Sequence, residues 1–334
     1  MITPILFLHV PKTAGITIRS IIARQYSSGA VYSVDEHHLG TEIANFRALS
    51  KEDKEAIEII QGHFCFGIHE RLGIPGRYIT ILRDPVQRVI SHYYHVLKHS
   101  DHHLHADVVS SGMTLKEYVQ SEITLDCDNS QVRYLSGIGT DVGFGRCTRE
   151  VLELAKRNLR EYFITAGVSE RFDESLLLMR EKLNWGSGIH YYPQNVGDRP
   201  DRGLSVPDNV ARIILQHNSL DVELYQHVLA HLDAQVTERG QCFYRKYHSF
   251  VLSNRIYAHF VTPEFLEAGF KAYSENRRSE ARRNFFRAVL RNPMLLRNPG
   301  VAAGIVDTTL GPHAVQVMRQ TYRQIGNCSK SSNK

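Results

Sequence analysis

A chain of 334 residues with 42% hydrophobic residues can bury a substantial core, which excludes a disordered or fibrous polypeptide and suits one large domain with an appendage. Forty lysines and arginines against 35 aspartates and glutamates leave a formal charge of +5, a mild basicity that favours anionic ligands in general and does not single out nucleic acid. The five cysteines form no C-x-x-C pair and no zinc spacing, and no run of about 20 apolar residues occurs, so neither a disulfide framework, nor a metal knuckle, nor a transmembrane segment is expected.

The first residues carry no basic leader region, and a cytoplasmic protein is expected. Residues 5–10 form a short apolar run closed by Pro11 and a glycine-containing turn, the pattern of a strand buried on both faces. From about Thr17 to Gln25, Ile18, Ile21 and Ile22 recur at helical spacing, so the order is strand, loop, helix. Residues 56–60 and 77–82 are predicted as further strands. The second runs into Asp84-Pro85, an N-cap and first-turn proline for a helix through about Leu97. Residues 162–168 read as a fourth strand, followed by Phe172, Leu176, Leu177, Met179 and Leu183 in helical register. Strands alternating with helices predict an α/β fold, a central parallel sheet flanked by helices, over residues 1–248.

Beyond about Ser249 the pattern changes. Residues 265–273 and 279–290 are predicted as two amphipathic helices joined through Glu275-Asn276-Arg277 and stopped at Asn292-Pro293. Over 262–325 this C-terminal helical appendage resembles a single tetratricopeptide-type hairpin, which packs on the main domain or meets a protein partner.

The residues with chemistry lie at two strand ends, where open α/β sheets hold their ligands. The first is the turn Pro11-Lys12-Thr13-Ala14-Gly15-Ile16-Thr17. A helix N-terminus offers unpaired N–H groups and the positive end of the helix dipole to an anion, Lys12 adds a full charge, and Thr13 and Thr17 add hydroxyl donors. The spacing is not G-x-x-x-x-G-K-[ST]. It lacks the first glycine and the magnesium layout of the nucleoside triphosphate loop. At the second strand end Arg83 leaves the strand, while Arg88, Ser91, His92 and His95 fall on one helical stripe; an arginine fork with a hydroxyl suits a terminal phosphate. The histidines His92, His95, His99, His102, His103 and His105 lack a carboxylate or cysteine shell and read as an acceptor contact or a solvated face rather than as metal ligands. Asn129, Gln131 and Arg133 alternate: in an extended segment they share one face and line an acceptor groove, and otherwise they belong to a polar loop.

In their order along the chain, these segments resemble the sulfotransferase superfamily, in particular the branch of heparan sulfate 2-O- and 6-O-sulfotransferases and their bacterial relatives. The likeness is carried by Phe7-Leu8-His9-Val10-Pro11-Lys12-Thr13-Ala14-Gly15 for the 5′-phosphosulfate loop, and by Arg83-Asp84-Pro85 with Arg88 and Ser91 for the 3′-phosphate element. It extends to Gly62-His63-Phe64-Cys65-Phe66-Gly67 and to residues 128–135, 167–175 and 218–225. The chain departs from the family at Ile16, where a threonine or serine is usual; the adjacent Thr17 can supply the hydroxyl.

The resemblance implies a P-loop-like sulfotransferase fold and transfer of a sulfuryl group from 3′-phosphoadenosine 5′-phosphosulfate to a hydroxyl of a glycan or glycoconjugate, leaving 3′-phosphoadenosine 5′-phosphate. It implies donor binding by Pro11, Lys12, Thr13, Ala14, Gly15, Ile16, Thr17, Arg83 and Ser91. Lys12 neutralises the leaving oxygen, His63 is the base, and no metal takes part. His69 and Glu70 stand in reserve as base or acceptor contacts, beside Asn129, Gln131 and Arg133. Two readings of other kinds are a P-loop-type small-molecule kinase, which needs magnesium and a triphosphate, and a non-catalytic nucleotide- or glycan-binding adaptor.

Overall fold

The computed structural model of the chain describes residues 3–191, 206–260, 263–291, 295 and 299–311. They fall into two compact units, one formed by the described residues within 1–15, 32–184 and 194–248, the other by those within 16–31, 185–193 and 249–334.

The chain begins β1 (Ile5–Leu8), α1 (Gly15–Gln25), β2 (Val31–Val34), α2 (Leu39–Ala48), α3 (Lys51–Ala56), β3 (Ile59–Gly62), α4 (Ile68–Leu72), β4 (Tyr78–Leu82) and α5 (Pro85–Lys98). It continues through α6 (His105–Ser110), α7 (Leu115–Gln120), α8 (Ser130–Ser136), α9 (Arg149–Tyr162), β5 (Phe163–Val168), α10 (Phe172–Leu183), α11 (Asp208–His217) and α12 (Ser219–Phe260), the last interrupted at Gly240. The strands form one sheet in the order β2-β3-β1-β4-β5. The pairs β1–β3, β1–β4 and β4–β5 are parallel, which makes this the α/β sheet flanked by helices that the alternating pattern predicts. Leu6, Phe7 and Leu8 of β1 and Ile59 and Ile60 of β3 are buried, the continuous apolar run of strands covered on both faces.

Local chemistry explains where the elements start. Asp84 accepts a hydrogen bond from the Gln87 N–H at 2.9 Å and Pro85 occupies the first turn of α5. The strand predicted over 56–60 begins later, because Ser50 caps α3 and residues 51–56 close as a helix; β3 then runs to Gly62 and leaves His63 at its carboxyl end. β2 is an edge strand that the sequence pattern does not announce. One face of α5 buries Val89, Ile90, Tyr93 and Val96 against Leu104, Val108, Tyr118 and Ile214 of the helical layer.

In the second unit α13 (Pro263–Ser274), α14 (Arg278–Arg291) and α15 (Pro299–Leu310) pack around the fully buried Phe285. A Cβ at Gly269 or Gly304 would come within 2.8 or 2.6 Å of that ring, so both glycines are there for close approach. The α13–α14 pair is the predicted helical hairpin, turned at Asn276 with φ 57°. The predicted stop at Asn292-Pro293 and residues 312–325 of the predicted region lie outside the described residues. In the same unit Trp185 donates its indole N–H to the Tyr26 hydroxyl at 3.0 Å. No helix among the described residues is long and apolar enough to cross a membrane.

Candidate active site

The sheet brings three strand ends together. Leu8 is paired with Gly62, so the residues that follow, His9 and His63, lie abreast: the His9 N–H donates to Gly62 O at 3.0 Å and the two imidazoles stack with centroids 4.0 Å apart. On the other side of β1, the Thr80 hydroxyl of β4 donates to Leu8 O at 2.8 Å, and Arg83 follows the end of that strand. The chain builds the β3 side of β1 first and then crosses to β4. The carboxyl ends of these strands are therefore the switch point of the sheet, the place where such sheets bind ligands.

The turn after β1 is shaped for an anion. Lys12 and Ala14 have φ of 68° and 67°, the left-handed region that non-glycine residues seldom adopt, on either side of Thr13. Alternation of this kind turns successive backbone N–H groups into one concavity, a nest suited to phosphate oxygens. The Thr13 hydroxyl donates to Val10 O at 2.8 Å, so it stabilises the turn rather than offering its proton outward. Ile16 is exposed and Thr17 buried at the start of α1. Arg83 Nη1 donates to the backbone oxygen of Lys12 at 3.0 Å, which ties the second strand end to the left-handed turn of the first. Glu170, 3.9 Å from Arg83 Nε, accepts from the Asp84 N–H at 3.1 Å and from the Tyr225 hydroxyl at 3.1 Å.

His63 Nδ1 lies 2.8 Å from His9 O. A carbonyl oxygen only accepts, so Nδ1 carries the proton and the lone pair sits on Nε2, the tautomer of an imidazole able to take up a proton there. Gly15 is required beside the His9 ring, because a Cβ at that position would stand 1.8 Å from His9 Nε2.

Along α5 the expected stripe divides. Arg88 is fully buried and committed to Asp126, donating to its backbone oxygen and, at 3.3 Å, to Oδ1; it is not available to the 3′-phosphate role expected for it. His92 is buried between Asp126 Oδ2 at 3.2 Å and the Tyr118 hydroxyl at 2.8 Å. Burial alone would raise the Asp126 carboxyl, but His92 and Arg88 beside it hold it well below the usual range. Ser91 is half-buried on the same helix.

His95 belongs to an imidazole cluster, 4.1 Å from the His99 ring and 5.7 Å from that of His102, which in turn lies 5.7 Å from His92. Burial, reinforced by Lys12 and by the imidazoles of His99, His102 and His92, pushes His95 down to about 3. Burial also lowers His102, to about 4. Both rings are therefore neutral near pH 7. Unfolded, each takes up a proton near 6.5, so the unfolded state binds more protons and stability falls as pH drops from 6.5 toward these lower values. Thermal unfolding of wild type is expected to shift down between pH 7 and pH 5, and His95→Gln to flatten that slope; equal slopes would contradict the assignment.

The remaining sequence candidates lie elsewhere. His69 is buried among Phe66, Tyr78 and Tyr162, with Nδ1 2.7 Å from the Tyr78 hydroxyl. Tyr78 opens β4, so His69 sits at the amino end of the strand whose carboxyl end precedes Arg83. Glu70 is exposed on α4. Asn129, Gln131 and Arg133 form neither an extended face nor an open polar loop: Asn129 precedes α8, and Gln131 and Arg133 lie within it, all three buried. Arg133 binds Asp128 and the carbonyls of Gly139, Val142 and Gly143. Asn129 Oδ1 accepts the N–H groups of Leu220 and Asp221 at 2.9 and 3.1 Å, capping α12. The helical spacing of the buried Val132 and Leu135 is the signal that could have identified this segment.

Residues 2–255 match the family model described as galactose-3-O-sulfotransferase. Three curated relatives are similar over most or half of the chain. Heparan sulfate 2-O-sulfotransferase hst-2 of Caenorhabditis elegans is 26% identical over 198 residues, 52% of this chain and 58% of its own length. Galactosylceramide sulfotransferase of Mus musculus is 27% identical over 263 residues, 71% of this chain and 58% of its own length. Galactose-3-O-sulfotransferase 2 of Mus musculus is 24% identical over 245 residues, 68% of this chain and 61% of its own length. The chain thus spans less than two thirds of each. The α13–α14 hairpin lies beyond residue 255, and nothing in these matches supports a tetratricopeptide assignment for it.

Proposed function

The chain belongs to the galactose-3-O-sulfotransferase family, and from that premise we propose that it transfers a sulfuryl group from 3′-phosphoadenosine 5′-phosphosulfate to a sugar hydroxyl. The observation that carries the reading is the convergence of Lys12, His63 and Arg83 at the carboxyl ends of the adjacent strands β1, β3 and β4. The nest of residues 12–15 with Lys12 suits the 5′-phosphate, and the Arg83 fork with Ser91 suits the 3′-phosphate, so the residues present fit the donor.

In the reaction the acceptor oxygen bonds to sulfur as the bond between sulfur and the bridging oxygen breaks. The electron pair of that bond stays on the 5′-phosphate of the departing nucleotide. Lys12 stabilises the charge that develops there, the part a preorganised cation plays in such transfers. The acceptor proton passes to His63 Nε2, the nitrogen that the Nδ1 bond to His9 O leaves with the lone pair. A donor activated as a mixed anhydride needs no metal for this step.

The relatives are named for galactose, galactosylceramide and heparan sulfate, so galactose-terminated glycans and glycolipids are the acceptors proposed first. Transfer of labelled sulfate from the phosphosulfate donor to such acceptors, in the presence of a chelator, is the test. Label is expected on the galactoside with chelator present. Loss of turnover that only a divalent cation restores, or magnesium-dependent phosphate transfer from ATP instead, would contradict the proposal. No match favours the kinase or the adaptor reading.

A further inference from the structure

Gln131 is fully buried, yet its carboxamide is used at both ends. Its Oε1 accepts the Arg83 N–H at 2.8 Å and its Nε2 donates to Arg83 O at 2.8 Å. Arg83 stands one residue past β4, whose last paired residue is Leu82 opposite Val168. There both backbone groups of Arg83 pair with the Gln131 carboxamide, and a peptide group that lost such partners away from water would be costly. The carboxamide takes the place of a neighbouring strand for a single residue.

A primary amide can be seated either way round, and its orientation follows from its surroundings. Here the surrounding group is Asp221, fully buried in the first turn of α12. Its carboxylate accepts the Gln131 N–H at 3.1 Å, the Val132 N–H at 2.8 Å and a hydrogen bond from the Gln131 side chain. An ionised carboxylate only accepts, so it fixes the NH₂ end of Gln131 toward itself and toward Arg83 O, leaving Oε1 for the Arg83 N–H. The two helices hold each other: Asp221 caps α8, and Asn129 caps α12. From Arg83 the chain of contacts continues to the donor loop, where Nη1 meets the backbone oxygen of the left-handed Lys12.

We propose that Gln131, oriented by Asp221, is a positioning residue for the donor site, fixing Arg83 at the end of β4 and through Arg83 the Lys12 turn. This assignment rests on the sulfotransferase reading and reverses the expectation that Gln131 lines an acceptor groove. Affinity for the nucleotide depends on it, and affinity for the sugar does not.

Gln131→Met keeps the length of the side chain and removes both hydrogen bonds. With the full chain, the KM for the phosphosulfate donor and the Kd for 3′-phosphoadenosine 5′-phosphate are expected to rise about tenfold, the acceptor KM moving less than about twofold. A folded Gln131→Met that binds the nucleotide like wild type, or one whose acceptor KM alone rises, overturns the inference while leaving the sulfotransferase reading intact. A wild type that does not bind the nucleotide overturns that reading and this inference with it. Should Gln131→Met fail to fold, amide hydrogen exchange of wild type without nucleotide decides: the Arg83 N–H must be protected like the amides of β4, and exchange at the rate of an open turn overturns the clamp.

Discussion

His63→Asn is expected to lower kcat by a factor on the order of 10² to 10⁴, the usual contribution of a positioned general base, while nucleotide affinity stays within about twofold of wild type. The separation follows from the geometry. His63 hangs from the end of β3 and is held by Nδ1 on His9 O at 2.8 Å, whereas the left-handed turn of Lys12 and Arg83 belong to the ends of β1 and β4. Asparagine can still donate toward His9 O but has no basic nitrogen at the position of Nε2. Turnover kinetics and calorimetry on the same preparations check this, and a variant with unchanged kcat removes His63 from the reaction.

Gly15→Ala is expected to be nearly as damaging, by packing rather than by chemistry. The added Cβ would stand 1.8 Å from His9 Nε2 and 1.9 Å from Cδ2, so the ring must move. It cannot move freely: His9 is 4% exposed, stacked between Phe7 at 5.5 Å and His63 at 4.0 Å. Overpacking of this kind costs about 1–3 kcal/mol of stability. Displacement of His63 by even about 1 Å adds a loss of turnover on the order of 10²-fold. Gly40→Ala is the control, since a Cβ there meets nothing within 4 Å and α2 gains a better helix former. Thermal unfolding and kcat of both variants check the pair, and a Gly15→Ala as stable and active as Gly40→Ala contradicts it.

What the sequence makes legible is what local pattern governs. The apolar runs of β1, β4 and β5, the Asp84-Pro85 start of α5 and the hairpin of α13 and α14 all follow from neighbours in the chain. The parallel sheet follows from their alternation, and with it the prediction that Lys12 and Arg83 stand at strand ends on one side. What stays hidden depends on partners far along the chain. Arg88 falls on the same helical stripe as Ser91, and Asp126, 38 residues away, makes it a buried structural arginine. His69 stands in reserve to His63 until Tyr78 and Tyr162 close around it.

Residues 129–133 are the sharpest case. Polar residues at alternate positions suggest an extended face, but the caps exchanged with Asn218 and Asp221, about 90 positions on, hold the segment at and in a helix and consume its polar groups internally. Polarity that spacing alone assigns to a ligand is here spent on the backbone of α8 and α12. β2 escapes notice for a related reason: four residues, one of them Ser33 bonded to Gln61, carry too little pattern to stand out from a loop.

Calorimetric titration with 3′-phosphoadenosine 5′-phosphate into wild type, Lys12→Ala and Arg83→Ala tests whether the ends of β1 and β4 form one nucleotide site. The geometry predicts binding to wild type that weakens at least about tenfold in each variant, as expected for loss of a charge-assisted contact to phosphate. No binding to wild type, or equal binding to all three proteins, would contradict it.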